Sequence, residues 1–132
     1  MFVIDTLEFE QLVNNAVDRL PKIHRDKIQN VGFFVRENPS PQQLMSAGVR
    51  PGQLLLGLYS GVPLPQRNGN QRMMPDTITI FQRPIEFICH DLASLKKQIR
   101  QTVWHEVAHY FGLNHDRIYQ IQNRTGQDAH QE

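Results

Sequence analysis

The chain has 132 residues, with 14 Lys and Arg against 13 Asp and Glu, so its formal net charge is +1 when histidine is neutral. This balance argues against the basic surface by which nucleic-acid-binding domains and membrane-surface proteins attract their ligands. The one cysteine, Cys89, excludes an intramolecular disulfide and a four-cysteine zinc site. No apolar run is long enough to cross a bilayer, and the first residues do not resemble a signal peptide, so we expect a cytoplasmic protein.

The length suits one domain rather than two independent cores. We place this domain at residues 1–122 and expect the polar residues 123–132 to form a disordered tail.

In the first two thirds of the chain, the pattern predicts one helix and three short strands. Apolar residues recur at helical spacing over 6–20, where Thr6 can cap the helix start and Pro21 follows its end. Stretches typical of strands cover 31–35, 54–59 and 76–82, while 42–47 can hold one helical turn and 60–75 reads as a long loop. Gly57 within the second strand indicates a bulge or a close backbone approach. Residues 84–89 fit no single element.

A long helix is predicted from Asp91 to Phe111, with Asp91 as its N-cap and Gly112 as a left-handed residue after its end. A further helical segment is predicted over 114–122. One stripe of the long helix is apolar; it contains Leu92, Leu95, Ile99, Val103, Val107 and Tyr110, and is broadened by Trp104 and Phe111. His105 and His109 fall on the opposite side, so they face either water or a cleft.

The long helix carries the sequence H-E-x-x-H at residues 105–109. His105 and His109 are one turn apart, about 40° around the helix axis, so both imidazoles can reach one metal ion. Glu106 projects beside that face, where a carboxylate can act on a metal-bound water without being a ligand. We therefore assign His105 and His109 as metal ligands and Glu106 as the catalytic residue.

A third ligand must come from beyond the helix. On an unbroken helix, His115 would lie about 240° past His109, on the wrong side. Gly112 can turn the chain back because glycine enters the left-handed region without a Cβ penalty. His105, His109 and His115 would then offer three nitrogens, with a water in the fourth position, as in catalytic zinc sites. Zinc suits such a set, although nickel, cobalt or copper would also bind.

Chance does not readily produce this pattern. With six His and six Glu among 132 residues, shuffling yields H-E-x-x-H at a rate of roughly 1 in 80. Requiring the later glycine and histidine lowers the joint chance to roughly 3 in 100,000.

The motif resembles that of the zincin clan of metallopeptidases, and its extended spacing is similar to that of the metzincins. Metzincins also carry a methionine turn downstream, and no methionine follows Asp116. Over residues 5–122 the chain instead resembles a family of small bacterial minimal zincins whose assigned activity is zinc-dependent peptide hydrolysis. The likeness lies in Phe9–Val13, Leu55–Leu64, Pro75–Phe81 and the histidine helix.

In that family, an aspartate often stands at the third-ligand position and another acid follows it. This chain has His115 there and Asp116 next, so either can be the ligand. We favour His115 for its match to three-nitrogen zinc sites, with Asp116 as the alternative ligand or as an orienting partner of a histidine.

We expect an α+β fold, in which a mixed sheet of three or four strands packs on the active-site helix and the N-terminal helix lies behind. The metal cleft would lie between the helix and an edge strand, to which an extended peptide could add. The resulting hypothesis is a zinc-dependent metallopeptidase that takes peptides or unfolded proteins as substrates, with neither nucleic acid nor membrane as a partner. The alternative is a metal-binding module without proteolysis.

Two tyrosines are weaker candidates for a functional role. Tyr59 and Tyr110 could donate to a developing oxyanion, although tyrosines more often bridge core and surface. His24 lies in a polar stretch, and we expect it to be solvated.

Overall fold

The computed structural model describes residues 1–61 and 75–113. Their helices and strands, in chain order, are α1 Thr6–Asp18, α2 Lys22–Arg25, β1 Val31–Arg36, α3 Pro41–Ala47, β2 Gly57–Ser60, β3 Asp76–Phe81, α4 Gln82–Ile88 and α5 Leu92–Tyr110. This is an α+β fold with a small sheet, as the sequence predicted.

The sheet has three strands among the described residues, in the order β1-β3-β2. β1 pairs with β3 in parallel, whereas β2 pairs with β3 antiparallel, so the sheet is mixed as expected. The central strand β3 is almost wholly buried, with Ile78, Ile80 and Phe81 at most 1% exposed. Within the part of the chain that the structure describes, β2 lies at one edge of the sheet, and α5 packs against it.

The core forms where α1 and α5 meet the sheet. α1 contributes Phe9, Val13 and Ala16. α5 contributes the predicted stripe, and its members Leu95, Ile99, Val103 and Val107 are fully buried. Leu92 is an exception, being 44% exposed because it is the first residue of the helix and lies at the rim of the core. Burying this stripe turns the opposite side of α5, which carries the histidines, toward a cleft.

The ends of α5 are formed as predicted. The Asp91 carboxylate accepts a hydrogen bond from the Ser94 amide (2.7 Å), and the Ser94 hydroxyl accepts one from the Asp91 amide (3.1 Å). The start of α1 differs from the prediction, because Thr6 is its first helical residue and Asp5 is the N-cap. The Asp5 side chain makes no capping hydrogen bond.

The second predicted strand was placed too early, since β2 covers Gly57–Ser60 rather than 54–59. Its partner β3 ends at Phe81, whose amide donates to the Leu56 carbonyl, so β3 has no residue left to pair with those before Leu56. Gln82 was predicted to end β3 but begins α4. This helix also covers most of 84–89, the stretch to which the sequence assigned no single element.

The four-residue helix α2 was not predicted from the sequence. The helix expected over 114–122, the tail at 123–132 and all but the ends of the expected loop 60–75 lie outside the described residues. No helix within residues 1–61 and 75–113 is both long and apolar enough to cross a membrane.

The two aspartate N-caps provide a test of the local energetics. We expect Asp91→Ala to lower the free energy of unfolding by about 1 kcal/mol, the usual cost of losing a capping side chain. Asp5→Ala removes the same side chain from an N-cap without such a bond, so its effect should be smaller. Urea denaturation of both variants measures the difference. Equal losses of stability would contradict the conclusion that only the Asp91 side chain caps its helix.

Candidate metal centre

The imidazoles of His105 and His109 converge on the outer side of α5. Their Nε2 atoms are 3.2 Å apart, and the ring centroids are 4.8 Å apart with the rings nearly perpendicular. Both side chains are partly exposed, in contrast to the buried stripe on the other side of the helix. The one-turn spacing thus brings one ring nitrogen of each histidine to within 3.2 Å of the other.

The separation of the two nitrogens suits a shared metal ion. Two ligand nitrogens at about 2.0–2.1 Å from a tetrahedral zinc lie about 3.3–3.4 Å apart. The observed 3.2 Å is close to this value. The same distance also permits an N–H···N hydrogen bond between neutral imidazoles, so the pair fits a metal without requiring one.

The chain leaves α5 at Gly112, as the sequence predicted. Gly112 has φ +81°, and its amide donates to the His109 carbonyl (2.9 Å), while the Leu113 amide donates to the Ala108 carbonyl (3.1 Å). These two bonds with a left-handed glycine form a Schellman motif, which ends a helix and redirects the chain.

His115 and Asp116, the two candidates for a third ligand, lie outside the described residues. Within 1–61 and 75–113, no three His, Cys, Asp or Glu side chains come together in a group that could hold a metal ion. The described part of the candidate centre is therefore the pair His105 and His109 with Glu106 beside it.

Glu106 is buried against the edge strand. Its side chain is only 6% exposed, and its Oε1 accepts a hydrogen bond from the backbone amide of Tyr59 in β2 (3.0 Å). Burial raises the pKa of the Glu106 carboxyl to about 7, and the hydrogen bond from Tyr59 opposes this rise. A carboxyl with a pKa near neutrality can take up and return a proton at ordinary pH.

Gly57 allows β2 to come this close to α5. A Cβ on Gly57 would lie 2.8 Å from Cγ2 of Thr102 and 3.2 Å from Cγ of Glu106. The sequence left open whether this glycine marks a bulge or a close backbone approach, and the structure shows the close approach of the strand to side chains of α5. Any side chain here would push the strand away from the helix that carries the candidate centre.

A cleft of about 350 Å³ opens beside the candidate centre, between the helix and the residues that lead into β2. Its lining residues are Leu55, Leu56, Gly57, Gln98, Gln101, Thr102, His105 and Glu106. The volume lies at the lower end of the range for sites that bind small ligands. His105 and the small exposed part of Glu106 thus border a cleft that opens between helix and strand.

The family model of the zincin-like metallopeptidases matches residues 28–125, about three quarters of the chain. The chain belongs to this family. A conserved hypothetical protein from Thermus thermophilus has a similar fold, with a TM-score of 0.55 and 18% sequence identity over 82% of this chain and 94% of that one. No curated protein is significantly similar in sequence.

The two tyrosines of this zincin-like chain are engaged in structural hydrogen bonds. The Tyr59 hydroxyl donates to the carboxylate of the buried Asp76. The Tyr110 hydroxyl accepts from the Gln29 amide and donates to the Gln29 carbonyl, which ties the end of α5 to the segment before β1. Tyr110 is fully buried, so these contacts favour a structural role over the oxyanion role considered from the sequence.

His24 is not simply solvated, as we expected from its polar neighbours. It is partly buried, and its ring lies 5.2 Å from that of Trp104 and 5.7 Å from that of Phe111. This burial, helped by nearby Lys27, lowers the pKa of His24. The tertiary fold brings α2 onto the end of α5, a contact that no local sequence pattern signals.

The packing at Gly57 yields a prediction about stability. We expect Gly57→Ala to lower the free energy of unfolding by about 1–3 kcal/mol, because the added methyl group overpacks the contact with α5. Adding Thr102→Ser removes the Cγ2 that lies nearest and should restore part of the loss. Urea denaturation of the single and double variants tests this. If the double variant is less stable than Gly57→Ala by the amount that Thr102→Ser alone destabilises the wild type, the proposed clash is wrong.

Proposed function

We propose that this zincin-like protein is a zinc-dependent metallopeptidase whose site consists of His105, Glu106, His109 and a third ligand, His115 or Asp116. The observation that carries the proposal is the convergence of the His105 and His109 Nε2 atoms, 3.2 Å apart, next to a buried carboxylate at an open cleft. Membership of a zincin-like family supports the same reaction class.

The imidazole nitrogens of the two histidines suit zinc and other divalent transition metals. A zinc ion, when bound, would polarise the scissile carbonyl and make the attacking water more acidic. We propose His115 as the third ligand, because three nitrogens match known catalytic zinc sites. Asp116 next to it would then orient one of the histidines, and it is the alternative ligand.

Glu106 is the proposed general base and acid. It follows His105 directly, so its carboxylate lies beside the histidine pair rather than opposite it. In this role, Glu106 takes a proton from the attacking water and later delivers it to the leaving amine. Its burial suits the task because a raised pKa lets the carboxylate hold that proton between the two steps.

The edge strand β2 is the proposed contact for substrate. It borders the cleft, and an extended peptide can add to a sheet edge through main-chain hydrogen bonds. The proposed substrates are therefore peptides or unfolded segments rather than folded proteins.

The ligand set can be tested by metal content. We expect His109→Ala to abolish stoichiometric zinc in elemental analysis, because it removes one of two convergent nitrogens. Between His115→Ala and Asp116→Ala, we expect the larger loss of zinc affinity in His115→Ala. A full equivalent of zinc in His109→Ala would place the site elsewhere, and a larger loss in Asp116→Ala would make the aspartate the ligand.

The role of Glu106 decides between an enzyme and a metal-binding module. Glu106→Gln keeps the size and hydrogen-bonding ability of the side chain but removes the basic oxygen. We expect unchanged zinc content and a fall in peptide cleavage of roughly two to four orders of magnitude, measured by mass spectrometry on a peptide library.

Two results would contradict this expectation. Equal cleavage by both proteins would indicate a contaminating protease or another mechanism. If the zinc-loaded wild type cleaves no peptide of a broad library, a non-proteolytic metal-binding role is correct.

A further inference from the structure

At alternate residues of β2, the backbone amide and carbonyl groups point away from β3. The Phe81 amide donates to the Leu56 carbonyl, and the register pairs Gly57 with Ile80 and Tyr59 with Ile78. In an antiparallel ladder, alternate residues face the partner strand. Gly57 and Tyr59 therefore direct their backbone groups away from β3, toward the edge where an added strand would pair.

One of these backbone groups, the Tyr59 amide, is already hydrogen-bonded to Glu106. Its Oε1 accepts the hydrogen bond of the Tyr59 amide at 3.0 Å, a partner 47 positions away in the sequence. Its Oε2 lies 3.3 Å from where a Gly57 Cβ would be, so the carboxylate rests along the strand edge between Gly57 and Tyr59. The carboxylate thus takes the place that the carbonyl of an added peptide would take.

An amide has one proton and makes one strong hydrogen bond. A peptide that adds to β2 through the Tyr59 amide must therefore displace Glu106 from it. Leaving the amide unpaired at this partly buried position would be costly, so the exchange requires a ligand with a backbone carbonyl in extended geometry.

We infer that the hydrogen bond from the Tyr59 amide to Glu106 is a latch, which an extended peptide opens by taking the amide for its own carbonyl. The latch rests on the proposed function, since it couples the arrival of substrate to the release of the proposed base. Glu106 is held at the strand edge without substrate and is released to act on the attacking water once a peptide is paired. In this latch, the Tyr59 amide positions the Glu106 carboxylate.

The test uses four zinc-loaded proteins: wild type, Glu106→Gln, Glu106→Met and Glu106→Ala. The probe is a fluorescein-labelled hexapeptide of alternating valine and threonine, which favours an extended strand. Binding is measured by fluorescence anisotropy extrapolated to the time of mixing, and mass spectrometry measures how much of the peptide each protein cleaves during the measurement. A matched hexapeptide with prolines at alternate positions, which cannot pair fully as a strand, is the control ligand.

The latch predicts two classes of affinity. Glu106→Gln keeps an oxygen for the Tyr59 amide and should bind the probe as the wild type does. Glu106→Met and Glu106→Ala lack an acceptor and should bind about two- to tenfold more tightly, the net value of one hydrogen bond. Methionine fills the space of the glutamate, whereas alanine leaves it empty. Equal gains in affinity in both variants would therefore show that the lost hydrogen bond, and not the added space, is the cause. The proline peptide should bind weakly to all four proteins.

A second readout follows the amide itself. In ¹H–¹⁵N NMR spectra without peptide, the Tyr59 resonance should move upfield in Glu106→Met and Glu106→Ala but little in Glu106→Gln. Adding the probe to the wild type should leave the Tyr59 amide resonance at the position of a hydrogen-bonded amide. In ¹³C spectra, the resonance of the Glu106 carboxyl carbon should shift.

The outcomes separate the latch from the function on which it rests. Equal probe affinity in all four proteins overturns the latch but leaves peptide binding at the edge intact. A gain in Glu106→Ala alone also overturns it, because room rather than a hydrogen bond then explains the gain. If none of the four proteins binds the probe while zinc content is normal, the proposed peptide substrate class is wrong as well.

Discussion

The close approach of the edge strand to the long helix at Gly57 is the constraint on which the candidate site depends. Because this residue has no side chain, β2 lies directly against Thr102 and Glu106. That contact buries the glutamate, places a backbone amide within hydrogen-bonding distance of it, and forms one wall of the cleft. The burial of Glu106 is the main cause of its raised pKa.

The same helix gives its polar side chains different environments. His105 and His109 stay partly exposed, where a metal ion can reach them, whereas Glu106 one residue away is almost wholly buried. Helical geometry sets their directions about 100° apart per residue, and the packing of β2 decides which direction is covered. Accessible histidines beside a desolvated acid suit the metal-assisted hydrolysis that we propose, in which the base must hold a proton between two steps.

A second buried carboxylate shows how the rest of the fold steadies this arrangement. Glu86 of α4, 1% exposed, accepts hydrogen bonds from the Ile4 amide, from Gln82 and from Arg83. These bonds fasten the N-terminal segment to α4, just before α1 begins. α1 in turn packs on α5, so the helix with the histidines is held from the side opposite the cleft.

Much of the fold and of the candidate site follows from local sequence pattern alone. The apolar stripe and capping residues of α5, the left-handed turn at Gly112 and the convergence of His105 with His109 depend on helical periodicity and on the freedom of glycine, which act over a few residues. The family and the mixed α+β class could be predicted from the motif and its surroundings. The bounds of β2 could not, because they depend on where the distant strand β3 ends at Phe81.

Only the tertiary structure decided what surrounds these residues. The burial of Glu106, its hydrogen bond to the Tyr59 amide and the packing of His24 on Trp104 join segments tens of residues apart. A backbone amide leaves no mark in the sequence, since every residue except proline carries one. The sequence thus determined which side chains share a face of α5, and the packing of an edge strand against that face determined which of them is buried.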